Sequence, residues 1–134
     1  IERHPVIAAL VQDGIERGQR ADWFAALSLT LLTNSATDQL KAMDPHSVDV
    51  IYIDPMYPHR KKSALVKKDM QILRDVVGPD EDSATLLPPS TAIAKKRVVV
   101  KRPCYANTLT TRKPDLHYRG KNSRYDVYLT HNSA

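Results

Sequence analysis

Apolar residues in this chain form short runs that are typical of buried strands. Leu27–Leu32, Val48–Ile53 and Arg97–Lys101 each hold several consecutive apolar or β-branched residues, a pattern that indicates strands covered on both faces. Near the end of the chain, Leu116–Tyr118 and Arg124–Leu129 flank the turn sequence Gly-Lys-Asn, which predicts an antiparallel hairpin. The chain therefore predicts three internal strands followed by a hairpin.

Between these strands, apolar positions recur with helical spacing. The pattern predicts helices over Pro5–Arg17, Asp22–Ala26, Ala36–Met43 and Ser63–Val77. Thr85–Lys95 is predicted to be irregular to helical. This alternation indicates an α/β fold with a mostly parallel sheet and helices on both faces. In such sheets, ligands bind beyond the carboxyl ends of the strands.

The strongest candidate for chemistry is the segment Asp54-Pro55-Met56-Tyr57-Pro58, which directly follows a predicted strand. A carboxylate and a backbone carbonyl can accept both N–H bonds of an exocyclic base amine, which aims the nitrogen lone pair at an electrophile. Pro55 stiffens the loop and has no N–H of its own, and the Tyr57 ring can stack on a base. The loop therefore predicts catalysis by positioning an aromatic amine.

Basic residues are concentrated next to this loop, in a chain of net charge +5. One acid-free cluster follows the loop directly: Arg60, Lys61, Lys62, Lys67 and Lys68. Lys101 and Arg102 end a predicted strand at the same carboxyl edge, whereas Lys95, Lys96 and Arg97 lie near its opposite end. The clusters at the carboxyl edge favour an anionic partner such as nucleic acid.

Other classes of site find little support in the sequence. The five histidines are dispersed without cysteine partners, and there is no P-loop, glycine-rich dinucleotide motif or nucleophile elbow. No apolar run approaches the ~20 residues that span a bilayer. The single cysteine, Cys104, cannot form an internal disulfide, which favours a reducing, cytoplasmic compartment. We therefore expect neither metal nor membrane as a partner.

Four segments carry a resemblance to a known family. Ile1–Pro5, Asp54–Pro58, Lys61–Lys68 and Lys96–Pro103 resemble the RsmJ family, whose members are bacterial S-adenosylmethionine (SAM)-dependent methyltransferases that modify the N2 amine of a guanine in small-subunit ribosomal RNA. The resemblance runs from the first residue to about Leu129. It implies a class I, Rossmann-like methyltransferase fold with a C-terminal antiparallel hairpin. Residues 1–134 would be the C-terminal portion of one catalytic domain.

The resemblance also implies roles for individual residues. Glu2 and Arg3 match the cofactor-contacting pair after the family's second strand, and Ser35 and Ala36 match small cofactor-contacting residues after the third. Asp54 would stand between SAM and the target amine.

In the same comparison, Pro55 would offer its carbonyl and Tyr57 its ring to guanine. Met56 replaces the proline that is commoner in the wider amino-methyltransferase group, although it fits this family. The proposed RNA-phosphate contacts are Arg60, Lys61, Lys62, Lys67, Lys68, Lys101 and Arg102. The partner would be small-subunit ribosomal RNA or the assembled small subunit.

In this family the first strand and its glycine-containing loop precede the position of Ile1. We therefore expect the 134 residues alone to bind SAM poorly and to be inactive. Two other interpretations stay open from the residues. The chain could be a basic RNA-binding module without catalysis, or an amino-methyltransferase for adenine or cytosine in DNA, since Asp-Pro-x-Tyr loops serve those bases too.

Overall fold

The computed structural model describes residues 1–55, 77 and 82–130, and the chain falls into two compact units, Ile1–Ala42 and Met43–Ala134. Six predicted site residues lie outside the described residues: Tyr57, Arg60, Lys61, Lys62, Lys67 and Lys68. The predicted helix Ser63–Val77 also lies outside them, apart from Val77. The prediction of one catalytic domain over 1–134 stays a prediction.

The first unit contains three helices close to the predicted ones: α1 (Pro5–Gly18), α2 (Asp22–Ala25) and α3 (Ala36–Lys41). Pro5 begins α1, where its fixed φ and missing N–H cost nothing. Gly18 ends it, and a Cβ at this position would lie 2.7 Å from the Phe24 ring. Glycine therefore lets α2 turn back closely against the end of α1.

The predicted strand Leu27–Leu32 is not formed. The segment has no strand pairing, and Leu27, Leu29 and Leu32 are exposed. Within the described residues, its one backbone hydrogen bond to the start of the chain runs from the Glu2 N–H to the Leu32 carbonyl, at 3.0 Å. The prediction was wrong because apolar β-type composition supplies a propensity, whereas a strand also needs a hydrogen-bonded ladder on a neighbour.

The second unit is built on a four-stranded sheet. Its strands are β1 (Val48–Ile53), β2 (Ala94–Pro103), β3 (Leu116–Arg119) and β4 (Ser123–Leu129), in the order β1-β2-β4-β3. β1 and β2 pair in parallel, whereas β2 with β4 and β4 with β3 pair antiparallel. The predicted parallel strands and C-terminal hairpin are thus both present, and β2 extends beyond the predicted Arg97–Lys101.

A short 3-10 helix (Ser83–Leu86) and α4 (Leu87–Ile93) precede β2 and cover one face of the sheet. Because side chains alternate along a strand, Val98 and Val100 of β2 share this face with Tyr128 of β4. They pack with Ile53, Leu87 and Leu109 into the core of the unit. The opposite face of β2 carries Val99 and Lys101, and we call it the open face.

Candidate active site at the carboxyl end of the first strand

Asp54 directly follows the last residue of β1, at the carboxyl end of the parallel pair. Ile53 pairs with Val100 across the two strands, so the next residues, Asp54 and Lys101, stand side by side. Lys101 Nζ lies 2.9 Å from Asp54 Oδ2, within an ion pair. The Asp54 side chain is 46% exposed and the Lys101 side chain 39% exposed. The carboxylate is therefore both held by a neighbour and open to an incoming ligand.

Tyr52 supports the same carboxylate from within β1. It lies two residues before Asp54, on the open face, close enough for the two groups to interact electrostatically. Burial, and then the negative charge of Asp54, raise the pKa of Tyr52 above its ordinary value of 10.0. The phenol therefore keeps its proton at physiological pH and remains a neutral neighbour of the Asp54 carboxylate.

The Lys101 ammonium is stabilised in its charged form. Its hydrogen bond to Asp54 raises the pKa of Lys101 above 10.5, with partial burial acting in the opposite direction. Tyr125, which pairs with Lys101 across β2 and β4, contributes further in the raising direction. Asp54 thus faces a permanent positive charge and a neutral hydroxyl donor at physiological pH.

Sequence reasoning missed Tyr52 and Tyr125 as parts of this site. The signal for Tyr52 was available, because residues i and i+2 of a strand share a face and Asp54 was already singled out. Tyr125 could not be found in this way, because its place depends on the register of β4 against β2. Pro55 follows Asp54 and is buried, and its predicted contact with guanine stays a prediction.

Arg102 lies on the core face, although it was predicted together with Lys101. It is 7% exposed, and its Nε donates to the Asn107 carbonyl at 2.9 Å. Burial, and then the positive charge of Arg124, lower the pKa of Arg102 below its ordinary value. The structure therefore uses Arg102 to hold the loop after β2. A phosphate contact for Lys101 or Arg102 stays a prediction.

Of the predicted cofactor residues, Glu2, Arg3, Ser35 and Ala36 lie in the first unit, whereas Asp54 lies in the second. The hydrogen bond from Glu2 to Leu32 places the start of the chain beside the segment that leads to Ser35 and Ala36. Glu2 Oε1 accepts the His4 N–H at 2.7 Å, immediately before α1. Ser35 is the N-cap residue of α3 but makes no capping bond through its side chain. The cofactor roles of these residues and of Arg3 stay predictions.

The donor set of this segment fits the ribose part of SAM. The half-buried Glu2 carboxylate keeps a second oxygen as an acceptor for hydroxyl groups. Within the described residues, no group of three or more His, Cys, Asp or Glu side chains could hold a metal ion. None of the helices in the described ranges is long and apolar enough to cross a membrane.

Comparison with known proteins places these features in a family. The family model of SAM-dependent methyltransferases matches residues 1–130. The chain belongs to this family. A solved structure of a SAM-dependent methyltransferase from Neisseria gonorrhoeae is 34% identical with a TM-score of 0.71, over 99% of this chain and 52% of that one. The predicted α/β methyltransferase fold is thereby confirmed.

Relatives narrow the family further. Proteins named ribosomal RNA small subunit methyltransferase J are 54% identical over 129 residues in Coxiella burnetii and 52% over 133 in Thioalkalivibrio sulfidiphilus. The matches cover 96% and 97% of this chain, but only 50% and 52% of those relatives. The resemblance to the RsmJ family is confirmed. The chain spans about half the length of these relatives.

Proposed function

We propose that this chain is the substrate-positioning half of an enzyme that methylates the N2 amine of a guanine in bacterial small-subunit ribosomal RNA. The observation that carries this proposal is the Asp54 carboxylate, half exposed at the carboxyl end of β1 in a chain of this family. Its named relatives act on small-subunit ribosomal RNA. We place the activity in the cytoplasm, where ribosomes are assembled.

Asp54 is suited to bind an amine rather than to remove a proton by itself. A carboxylate has about four acceptor positions on two oxygens. Lys101 occupies one at Oδ2, and the Tyr52 hydroxyl is a neutral neighbour of the same carboxylate. These two contacts fix the plane of the group and leave acceptor capacity for an N–H of guanine. We assign Lys101 and Tyr52 as positioning residues for Asp54.

The remaining roles follow from the family. Pro55 would accept the second amine N–H through its carbonyl, and Tyr57 would stack on the base. Glu2, Arg3, Ser35 and Ala36 would hold SAM. When bound, SAM supplies a methyl group that is attached to a sulfonium. After transfer of the methyl group, the sulfonium has become a neutral thioether. The protein's contribution would be orientation, which can supply about 7–11 kcal/mol of a barrier.

The test is transfer of labelled methyl from SAM to unmodified small ribosomal subunits. Because the chain covers half of its relatives, we would assay a chimera in which it replaces the matching half of the Coxiella burnetii protein. Asp54→Asn is expected to lower the rate about 10²–10³-fold, as loss of a preorganised electrostatic contact does. Lys101→Met should cost about 10-fold to 100-fold, because Asp54 loses its orientation.

The matched control is Asp49→Asn, which breaks an exposed ion pair with Lys96 on the same strands and should leave the rate unchanged. Circular dichroism would confirm that each variant is folded. A folded chimera that binds RNA without transferring label would sink the enzymatic proposal and favour the binding module. Label on an adenine or cytosine amine would instead show that the target base is not guanine.

A further inference from the structure

A second feature at the same end of the sheet has no part in the site above. A cavity of about 430 Å³ opens beside the end of β2, between the β3–β4 hairpin and the loop of residues 104–114. Its size falls within the range of ligand pockets, roughly 300–1,000 Å³. Lys113, His117, Arg119, Arg124 and Asp126 are among the residues that line it, and we call it the hairpin cavity.

The floor of the hairpin cavity is held by an ion pair and several hydrogen bonds. Arg124 Nε lies 2.8 Å from Asp126 Oδ1, and Nη2 lies 3.1 Å from Oδ2, in a two-point ion pair. Arg124 Nη1 also donates to the carbonyls of Cys104 and Ala106, at 3.2 and 2.7 Å. The strand is thereby tied to the loop that forms the opposite wall.

The hairpin cavity has an excess of positive charge. Three cationic side chains line it against one carboxylate, and that carboxylate, Asp126, is 1% exposed and already paired with Arg124. Lys113 and Arg119 have no ion pair among the described residues. Both side chains are exposed and line the cavity, and no hydrogen bond between residues that the structure describes uses their side-chain N–H donors, which suits an anion such as a phosphodiester.

The position of the hairpin cavity suits RNA near the target base. Cys104, which lines it, lies three residues beyond Lys101, at most about 10 Å along the chain. Arg119, Arg124 and Asp126 lie on the core face of the sheet and Lys101 on the open face, so RNA that reaches both would pass over the end of β2. Nucleotides in a stacked strand rise about 3.4 Å each, so a flanking phosphate within a few nucleotides would reach the cavity. We propose that Lys113 and Arg119 bind a backbone phosphate of the RNA beside the target guanine in the hairpin cavity. The identity of this anion rests on the proposed function.

The test measures how a fluorescently labelled single-stranded oligoribonucleotide binds to the 134-residue chain. Fluorescence anisotropy reports the affinity at several salt concentrations. The double variant Lys113→Gln/Arg119→Gln should bind at least tenfold more weakly. The slope of log affinity against log salt should become shallower by about 0.7–1.4, since each phosphate contact on single strands contributes about 0.7.

The control is Lys95→Gln/Arg97→Gln, which removes the same net charge from exposed residues in the amino-terminal half of β2. It should leave the affinity within about twofold of wild type and the slope unchanged. Equal losses in both double variants, or no binding by the wild-type chain, would overturn the proposal. Unchanged urea midpoints would show that both variants are folded.

The two proposals fail separately. If the chimera transfers methyl groups but RNA affinity does not depend on Lys113 and Arg119, only the role of the hairpin cavity is refuted. RNA binding that depends on these two residues, without methyl transfer, would refute only the enzymatic proposal.

Discussion

The two faces of β2 give neighbouring basic residues opposite roles. Lys101 lies on the open face, exposed, with its ammonium on the carboxylate of Asp54. Arg102 lies on the core face, buried, and donates to a loop carbonyl. The two residues carry the same charge and are adjacent in sequence. Their difference shows that strand alternation, more than charge, decides whether a basic residue serves a site or a scaffold.

Two carboxylates of the sheet also differ, in how deeply they are buried. Asp126 is fully enclosed on the core face and makes a two-point pair with Arg124, whereas Asp49 and Lys96 form an exposed pair at 3.4 Å. Buried pairs cost much when one partner is lost, because the other charge stays unpaired in a low dielectric. Exposed pairs contribute little, because water screens both charges.

The largest predicted effect comes from breaking the buried pair. Asp126→Ala should lower the free energy of unfolding by about 3–5 kcal/mol, because Arg124 is left unpaired below the surface. Asp49→Ala should lower it by less than about 1 kcal/mol. Urea unfolding of both variants measures the difference. Similar losses of unfolding free energy from the two substitutions would contradict the distinction between buried and exposed ion pairs.

An intermediate effect is expected from the two neighbouring cations. Arg102→Met should cost about 1–3 kcal/mol of unfolding free energy, because the Asn107 carbonyl loses its donor. Lys101→Met should cost less than about 1 kcal/mol in the same assay, since its pair is partly solvated. In the methyl-transfer assay, Lys101→Met should lower the rate through a lower kcat. If Lys101→Met proved the more destabilising of the two, the assignment of the faces would be wrong.

The smallest effect is a dependence on alkaline pH. The folded state raises the pKa of Lys101 above 10.5, so its stabilising contribution is present below that value and is lost as pH rises through the higher folded pKa. We therefore expect wild type to exceed Lys101→Met by less than about 1 kcal/mol at pH 8–9, and the gap should close by about pH 12. Chemical unfolding across this range measures the gap, with Lys96→Met as the exposed control. If the difference in unfolding free energy widened with pH, the predicted direction of the pH dependence would be wrong.

Local features of the fold could be predicted from the sequence. Val48–Ile53 was predicted with the bounds that β1 has, because a dense apolar run bounded by turn residues leaves few alternatives. Asp54 followed from that boundary. Leu27–Leu32 had similar composition but no ladder, and composition does not reveal a partner.

Pairings between distant residues could not be predicted. The contact between Asp54 and Lys101 depends on the register of β1 against β2, which no local pattern determines. The orientation of Arg102 was predictable in principle, because alternation places it on the side of Val98 and Val100. A prediction from charge and position at the strand end groups Lys101 with Arg102, because it does not consider which face of the strand each side chain occupies.

The change from parallel to antiparallel pairing at β2 has a consequence for how the molecule folds. Arg119 and Arg124 pair across a short turn, whereas Val48 must find Ala94 across a long stretch of chain. Contacts between residues close in sequence form sooner, because less chain entropy is lost in closing the loop. We expect pulsed hydrogen exchange to show protection of the hairpin amides before those of β1. Asp54 would then meet Lys101 in a late step, so that this ion pair forms only once most of the sheet exists.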